Sequence, residues 1–296
     1  MEAEVRPLPK MDYMAPSSLK GALNLLKKYK GKARLLAGGT DLIPKMKKRM
    51  ATAEVVIDLN RIPGFSGIKL RKDGLHIGGL TRLAEIMQSP LIKEKAPALA
   101  QAISMMASPP IRNRATMVGN LCTASPAADT APPLLVLNAS VKIQNAQGER
   151  IVSLSEFFLG PEQTIRRADE ILTEVILPIQ EGNSAFSKLG RRKAFTLSVV
   201  SAAAFARIRG GKFEEVRVAL GAVAPTPIRG RKVEETLRGS EVNEQNIAQA
   251  AECIKEEVKP ITDVRASAEY RKEMSYILTK RVLEQVGWGG SHADTI

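Results

Sequence analysis

The chain is most distinctive at Thr116-Met-Val-Gly-Asn-Leu-Cys-Thr-Ala-Ser-Pro-Ala-Ala-Asp129, which pairs with an earlier stretch, Arg34-Leu-Leu-Ala-Gly-Gly-Thr-Asp-Leu42. In each stretch a short apolar run leads into glycine and small hydroxyl residues. Glycine lets the backbone approach a ligand closely, and successive exposed amide groups form an anion-binding concavity. Two such loops on one chain predict a site for the two phosphates of a dinucleotide.

Composition limits the class of protein and the kinds of partner. The chain has 296 residues, 44% hydrophobic residues and a formal net charge of +13, which predicts one large or two ordinary folded domains. The positive charge favours an anionic partner, which could be nucleic acid, a phosphorylated cofactor or an acidic subunit, or it forms a solvated basic face. Aromatic residues make up only 4% of the chain, which argues against a stacking platform for single-stranded nucleic acid.

The small number of cysteine and histidine residues argues against several kinds of site. Cys122 and Cys253 provide neither a disulfide framework nor the four thiolates of an iron–sulfur cluster. The two histidines, His76 and His292, belong to no triad or metal-ligand pattern, so we predict no catalytic side chain and no metal site. The chain begins without an apolar signal segment and has no run of membrane-spanning length, so we expect a cytoplasmic protein.

Periodicity and turn residues predict the elements of the first half. The chain should form a helix from residue 17 or 18 to about 29, a buried strand over 33–36, a short basic helix and a strand over 55–59. Asp73-Gly74 predicts a hairpin, and Thr81 is the expected cap of the following helix. Further expectations are a helix from residue 97 to about 106, a hairpin around Gln147-Gly148 and a strand over 171–177.

The second half of the chain is predicted to begin after a linker over residues 179–184. A strand over 198–204 precedes a tight turn at Gly210-Gly211, although the alanines of that segment also fit a helix. The last ~70 residues have a helical pattern, which is interrupted at residues 260–263. Residues 288–296 are glycine-rich and expected to fray.

Four motifs together resemble one known family. They are Tyr13-Met-Ala-Pro-Ser-Ser-Leu19, Ala37-Gly-Gly-Thr-Asp-Leu42, residues 116–129 and Phe186-Ser-Lys-Leu-Gly-Arg-Arg192. In order and spacing the chain resembles the flavin-binding medium subunit of the molybdenum hydroxylases, which include the carbon monoxide and xanthine dehydrogenases. The resemblance implies an α+β fold. It consists of a two-part FAD-binding domain of the PCMH/vanillyl-alcohol-oxidase type over 1–180, a small domain with a three-stranded antiparallel sheet and helices over 181–290, and a disordered tail over 291–296.

The resemblance also implies bound FAD and a set of cofactor-binding residues. The implied residues are Leu36, Ala37, Gly38, Gly39, Thr40, Asp41, Leu42, Thr116, Val118, Gly119, Asn120, Thr123, Asp129, Leu172 and Lys188. The two loops would hold the pyrophosphate, Asp129 would contact the adenosine end with Thr123 nearby, Leu172 would cover the isoalloxazine ring, and Lys188 would approach its pyrimidine edge. A cation at that edge would raise the flavin potential.

Each of these residues also has an ordinary structural interpretation. Thr40 and Asp129 suit helix N-caps, and an acid such as Asp41 is favoured in a first helical turn by the helix dipole. Leu172 fits a strand core and Lys188 fits a basic surface. Met106 falls where a neighbour of the ring can lie, but helical core is the preferred interpretation.

The function implied is electron transfer within a larger oxidoreductase. A large subunit would carry the molybdenum cofactor, a small subunit would carry two [2Fe-2S] clusters, and the FAD of this chain would pass electrons to NAD, a quinone or another acceptor. The assembly would be a dimer of heterotrimers, with no nucleic acid and no membrane span. The cysteine-rich branch that reduces aromatic-CoA esters is disfavoured, because only Cys122 and Cys253 are present.

Two alternatives remain open. The family usually has two glycines before the Asn or Ser of the second loop, whereas this chain has Val118 and then Gly119. A β-branched residue there restricts the backbone and adds bulk, so the chain could be a scaffold or assembly protein that has lost FAD. The net charge of +13 leaves a basic nucleic-acid-binding protein as the more distant alternative.

Overall fold

The computed structural model describes residues 7–192 and 195–289. Within this part of the chain the fold has three successive portions, which we call the first, middle and C-terminal portions. Each has its own sheet and its own cluster of buried side chains.

The first portion is a three-stranded parallel sheet with two helices. Its elements are β1 (Asp12–Met14), α1 (Leu19–Tyr29), β2 (Ala33–Leu36), α2 (Leu42–Lys47) and β3 (Val55–Asp58). The strands lie in the order β1-β3-β2. Ser18 caps α1 by accepting a hydrogen bond of 3.1 Å from the amide of Gly21, a type of contact that contributes about 1 kcal/mol. The predicted helix and both predicted strands of this portion are confirmed.

The middle portion is a five-stranded antiparallel sheet covered by short helices. Its elements are β4 (Ile68–Arg71), β5 (Gly74–Gly78), α3 (Leu83–Gln88), α4 (Pro90–Lys95), α5 (Pro97–Met105), α6 (Pro109–Arg112), α7 (Met117–Thr123), α8 (Ala131–Val136), β6 (Ser140–Asn145), β7 (Gly148–Ser153), β8 (Phe158–Gly160), β9 (Gln163–Thr164) and β10 (Ile171–Leu177). The sheet order is β4-β5-β10-β6-β7, and β8 pairs with β9 separately. Both predicted hairpins and the strand that becomes β10 are confirmed.

The predicted cap at Thr81 is wrong. Helix α3 begins after Arg82, which makes no side-chain capping bond. The Thr81 hydroxyl instead lies 2.7 Å from the carbonyl oxygen of Gly78 and 2.9 Å from the amide of Gly67. Because Thr81 is buried, its hydroxyl satisfies the backbone of the preceding turn rather than the helix.

The C-terminal portion is an antiparallel sheet with four helices. Its elements are β11 (Asn183–Gly190), β12 (Ser198–Arg209), β13 (Lys212–Gly221), β14 (Ile228–Arg229), α9 (Arg231–Leu237), α10 (Glu244–Glu252), α11 (Ile254–Glu257) and α12 (Ala268–Gly287). The strands β11, β12 and β13 form the predicted three-stranded sheet, and the two-residue β14 pairs at its edge. The predicted strand over 198–204 is confirmed and continues to Arg209. Of the tail predicted to fray, residues 290–296 lie outside the described residues.

The C-terminal sheet is buried on both faces. Along β12, Ala203 and Phe205 pack into the core of the middle portion, whereas Ala202 and Ala204 pack under the helices. This alternation follows from the two-residue period of a strand. The sheet therefore connects the middle portion with the helices of the C-terminal portion. Clefts at the edges of the sheet are lined by residues of both portions.

Candidate functional site

The first glycine loop lies between β2 and α2. Gly39 has a φ of +75°, a conformation that favours glycine over residues with a side chain. Residues 35–40 are partly exposed and Asp41 is exposed, so the loop faces solvent. Leu36 ends the strand, and Leu42 begins the helix.

The second loop leads into α7. Thr116 is the N-cap of this helix, and its hydroxyl accepts a hydrogen bond of 3.0 Å from the amide of Gly119. Thr116 is buried, whereas Gly119, Asn120 and Thr123 are partly exposed. These three residues lie along the open side of the helix.

The two loops touch through their backbones at Gly38. A Cβ atom on Gly38 would lie 2.3 Å from the carbonyl oxygen of Arg114 and 2.8 Å from the Cα of Ala115, far inside van der Waals contact. A glycine is therefore required at position 38, and its absence of a side chain brings the starts of α2 and α7 together.

A polar network also fixes the loops to each other, through two residues that the sequence analysis missed. Asn60 donates a hydrogen bond of 2.9 Å to the carbonyl oxygen of Ala37. The Arg82 guanidinium donates to the Asn60 side chain and to the Arg114 carbonyl oxygen, both at 2.6 Å. Burial, together with the neighbouring Arg114 cation, lowers the pKa of Arg82. Neither residue belongs to a glycine motif, and neither carried a signal in the sequence.

Asp58 holds Asn60 in position. Its carboxylate accepts hydrogen bonds from the Tyr13 hydroxyl at 2.5 Å and from the Asn60 amide at 2.9 Å. Burial alone would raise the pKa of Asp58, but these hydrogen bonds outweigh burial and hold that pKa below its usual value. Asp58, the last residue of β3, therefore fixes the Asn60 side chain that bonds to the first loop.

Backbone amides at the starts of both helices have no partner within residues 7–192 and 195–289. At α2 these are the amides of Thr40, Asp41 and Leu42, and at α7 it is the amide of Val118. Such amides are the natural donors to an anion. With the Gly38 contact they form a backbone cradle that fits a pyrophosphate.

The side chain of Val118 points away from this cradle. Val118 lies in the first turn of α7 and is 8% exposed, packed into the core of the middle portion. Asn120, on the open side, accepts a hydrogen bond of 2.6 Å from the Thr130 hydroxyl. The departure at Val118 thus adds apolar packing to the core.

Asp41 and Thr123 join the two loops at their outer edge. The Thr123 hydroxyl lies 3.3 Å from the Asp41 carboxylate and donates to the Gly119 carbonyl oxygen at 3.0 Å. Lys45 pairs with Asp41 at 3.2 Å and with Glu162 at 2.7 Å. Asp41 precedes α2 without capping it by a side-chain bond.

Lys188 and Asp129 form a buried ion pair. The Lys188 ammonium lies 2.6 Å from the Asp129 carboxylate, and the two side chains are 4% and 5% exposed. Lys188 also donates to the carbonyl oxygens of Thr196 at 2.9 Å and Met105 at 3.4 Å, and Ser198 donates to Asp129 at 2.5 Å. Burial raises the pKa of Asp129, against the opposing effects of Lys188 and Ser198. Lys188 is therefore not a surface lysine, and Asp129 caps no helix.

A cleft of about 400 Å³ opens beside this pair, lined by Met105, Lys188, Leu189, Gly190, Arg192 and Thr196. A Cβ atom on Gly190 would lie 2.2 Å from the Thr196 side chain, so glycine is needed where β11 ends. Leu172 is 2% exposed and Met106 is 9% exposed, and both pack into the middle core.

Among the described residues, no group of histidine, cysteine, aspartate or glutamate side chains is placed to hold a metal ion. No helix in that part of the chain is both long enough and apolar enough to cross a membrane.

Comparison with known proteins identifies the family. Residues 9–180 match the FAD-binding domain of molybdopterin dehydrogenases, and residues 184–286 match the C-terminal domain of the carbon monoxide dehydrogenase flavoprotein. The chain belongs to this family of FAD-binding oxidoreductase subunits, as its motifs predicted, and FAD is the cofactor of the family.

Relatives and solved structures agree with this assignment. The chain is 34% identical to the xanthine dehydrogenase FAD-binding subunit of Escherichia coli O157:H7, over 92% of this chain and 94% of that protein. It is 32% identical to the carbon monoxide dehydrogenase medium chain of Hydrogenophaga pseudoflava, over 93% and 96% of the two chains. A structure of carbon monoxide dehydrogenase from that organism, lacking the Mo-pyranopterin moiety, superposes with a TM-score of 0.92 at 31% identity, covering 96% of this chain and 99% of the other.

Proposed function

We propose that this chain is the electron-transfer subunit of a multi-subunit molybdenum hydroxylase. In this role it receives electrons from [2Fe-2S] clusters on a small subunit and passes them to an external acceptor. FAD supplies the redox chemistry when bound, while the side chains and backbone of this chain bind it and set its electrostatic environment.

The observation that carries this proposal is the backbone contact between the loops at Gly38. It places unpartnered amides from two helix starts side by side, where they can donate to both phosphates of a dinucleotide. Leu36, Ala37, Gly39 and Thr40 complete the first loop, and Gly119, Asn120 and Thr123 form the open side of the second.

Lys188 and Asp129 have linked roles in the proposal. The buried ammonium of Lys188, held by three acceptors, stabilises negative charge at the pyrimidine edge of the flavin. Asp129 accepts from Lys188 and Ser198 and so holds the ammonium in place, while the contact of Asp129 with the adenosine end stays a prediction. Leu172 closes the apolar side of the ring site.

Gly38→Ala tests the binding site. We expect the variant to lose most of its FAD and about 1–3 kcal/mol of stability, because the added Cβ overpacks against a backbone that cannot move freely. FAD content is read from the visible spectrum of the purified protein after free flavin is removed, and folding is read by circular dichroism.

Gly31→Ala is the matched control, since a Cβ there meets nothing within 4 Å. It should retain as much FAD as the unaltered chain. A folded Gly38→Ala protein with a full complement of FAD would contradict the proposed site.

A FAD-free scaffold is the alternative, and it would give a folded but colourless unaltered chain. Its support came from Val118, whose side chain lies in the core rather than in the cradle. Among the described residues, no contact favours this alternative.

The proposed partners are a large subunit with the molybdenum cofactor and the small [2Fe-2S] subunit, assembled as a dimer of heterotrimers in the cytoplasm. Support comes from the relatives, which are named medium chains or FAD-binding subunits of dehydrogenases. We place the boundary between the FAD-binding domain (1–180) and the C-terminal domain (181–290) between the end of β10 and the start of β11. Co-expression with the two partners, followed by light scattering, measures the stoichiometry.

A further inference from the structure

A second cleft lies between the middle and C-terminal portions, and none of its lining residues belongs to either glycine loop. It has a volume of about 260 Å³. The middle portion contributes one wall and the C-terminal portion the other. Its lining residues include four arginines and two glutamates, namely Arg217, Arg229, Arg231, Arg238, Glu215 and Glu234.

The four arginines differ in how fully they are satisfied. Arg217 is 5% exposed, stacks 4.0 Å above the Phe205 ring and donates to Val136, Glu215 and Gln180. Arg229 is bound firmly only through Nε, at 2.6 Å from Glu234, because its other contacts are at 3.4 Å.

Arg231 and Arg238 have donor groups to spare. Within the described part of the chain, the Arg231 guanidinium makes one long contact, at 3.4 Å with the Glu234 carboxylate, and the Arg231 side chain is 61% exposed. The Arg238 guanidinium makes no hydrogen bond or ion pair with any residue in 7–192 or 195–289. A guanidinium has five N–H donors, so most of the donors of these two residues are open.

The two carboxylates of the cleft are already paired. Glu215 accepts from Arg217 and pairs with Arg207 at 3.1 Å. Glu234 accepts from the Val218 amide at 3.0 Å and pairs with Arg229 at 2.6 Å. The six ionic side chains of the lining therefore carry a net charge of +2.

We propose that this cleft binds a phosphate-type oxyanion. Arg231 and Arg238 would be the principal donors, and Arg229 would support them. Guanidinium groups match the geometry of phosphate oxygens. On the opposite wall the Ser153 and Ser155 hydroxyls hydrogen-bond to each other at 2.8 Å, which leaves one neutral hydroxyl donor for the anion. At about 30 Å³ per water, the 260 Å³ cleft would hold about nine waters, which is enough for the anion and a small organic group.

The electrostatics of the deepest arginine agree with this assignment. Burial, together with the nearby Arg229 and Arg207 cations, lowers the pKa of Arg217 to about 10. An anion in the cleft would offset the same repulsion. The arginines that would bind the anion lie on β14, on α9 and in the turn after α9, whereas the two serines belong to the middle portion. The bound anion would therefore contact both the middle and the C-terminal portions.

Calorimetric titration of the FAD-loaded full chain with inorganic phosphate, at constant ionic strength, tests the proposal. We expect saturable binding with one phosphate per chain and an unchanged flavin spectrum. The variant R231Q/R238Q should weaken that binding about tenfold or more, since it removes both of the cations whose donors are open. Arg281→Gln, an exposed arginine of α12 outside the lining, should leave it unchanged.

Three results would overturn the proposal. They are the absence of saturable binding, equal affinity in R231Q/R238Q and the unaltered chain, and displacement of flavin by phosphate, which would place the phosphate in the glycine loops instead. A parallel titration with glycerol 3-phosphate separates the sources. Tighter binding than phosphate identifies a phosphomonoester ligand, and weaker binding identifies the free ion. If the chain bound no FAD, the same titrations on the FAD-free full chain would still compare R231Q/R238Q with the unaltered chain, so failure of the FAD site and failure of this proposal are distinguishable.

Discussion

Lys188 and the arginine cleft both place positive charge between the two halves of the molecule, and they satisfy it in opposite ways. The Lys188 ammonium meets one carboxylate and two carbonyl oxygens within 3.4 Å. In the cleft, four guanidinium groups share two carboxylates, and Arg238 has no partner among the described residues. A fully partnered cation is fixed in place and orients what lies beside it, whereas a surplus of cations attracts an anion.

The largest effect on stability is expected from breaking the Lys188–Asp129 ion pair. Lys188→Met should lower the free energy of unfolding by about 3–5 kcal/mol, because it leaves the Asp129 carboxylate buried without its cation. In FAD-loaded protein it should also lower the flavin reduction potential. Denaturant unfolding and a redox titration measure the two effects.

The stability loss should depend on pH. Burial already raises the pKa of Asp129 in the folded protein. The contribution of this group to the free energy of unfolding is therefore fully present below its pKa in the unfolded chain, about 3.9, and is lost as pH rises through its pKa in the folded protein. Without Lys188 that pKa rises further, and the variant should lose less stability at about pH 5 than at about pH 8. Adding Asp129→Asn should remove this pH dependence. An equal loss at both pH values would show that the pair is not the cause.

A smaller effect is expected when the cleft loses one of its acids. Glu234→Gln should cost about 1–3 kcal/mol of stability, since Arg229 loses its charged partner. The same change should strengthen phosphate binding severalfold, because a negative charge leaves the cleft. Calorimetry on this variant and on Glu235→Gln, an exposed neighbour, measures the difference. Weaker phosphate binding in Glu234→Gln would contradict the charge argument.

The smallest effect is expected from salt, and it should separate the two sites. Raising the ionic strength from about 0.1 M to about 1 M shortens the Debye length from about 10 Å to about 3 Å. Phosphate affinity should fall, because the outer arginines are exposed. The stability difference caused by Lys188→Met should hardly change, because that pair is buried. A salt-insensitive phosphate affinity would count against an electrostatic site.

The difference between the two sites also explains what could be predicted from the sequence. Each glycine loop is one continuous stretch of sequence, and its proposed donors are backbone amides. Residues 37–42 and 116–123 could therefore be predicted as a site from the local sequence. The strand β2 (Ala33–Leu36) was predicted with its observed bounds, since its apolar run ends at glycine. The arginine cleft draws on residues from 135 to 238, and no local pattern connects them.

Other features depended on tertiary contacts that a single sequence does not encode locally. Thr81 satisfies the turn before α3 instead of capping the helix. Asn60 and Arg82 join the loops by side-chain bonds across 22 to 32 residues of chain. Lys188 has the sequence context of a surface residue, and its ammonium is held by contacts with Asp129, Met105 and Thr196 that lie far from it or outside its own strand.

The meeting of Gly38 with the Arg114 carbonyl oxygen has a consequence for how this site can change over time. Neither loop can lengthen, shift or gain a side chain at the contact without displacing the other, although 76 positions separate them in the chain. A graft of one loop onto a foreign scaffold would therefore transfer only half of a cradle. We therefore expect the two loops to change together, with variation tolerated first at positions that face away from their contact, as Val118 does.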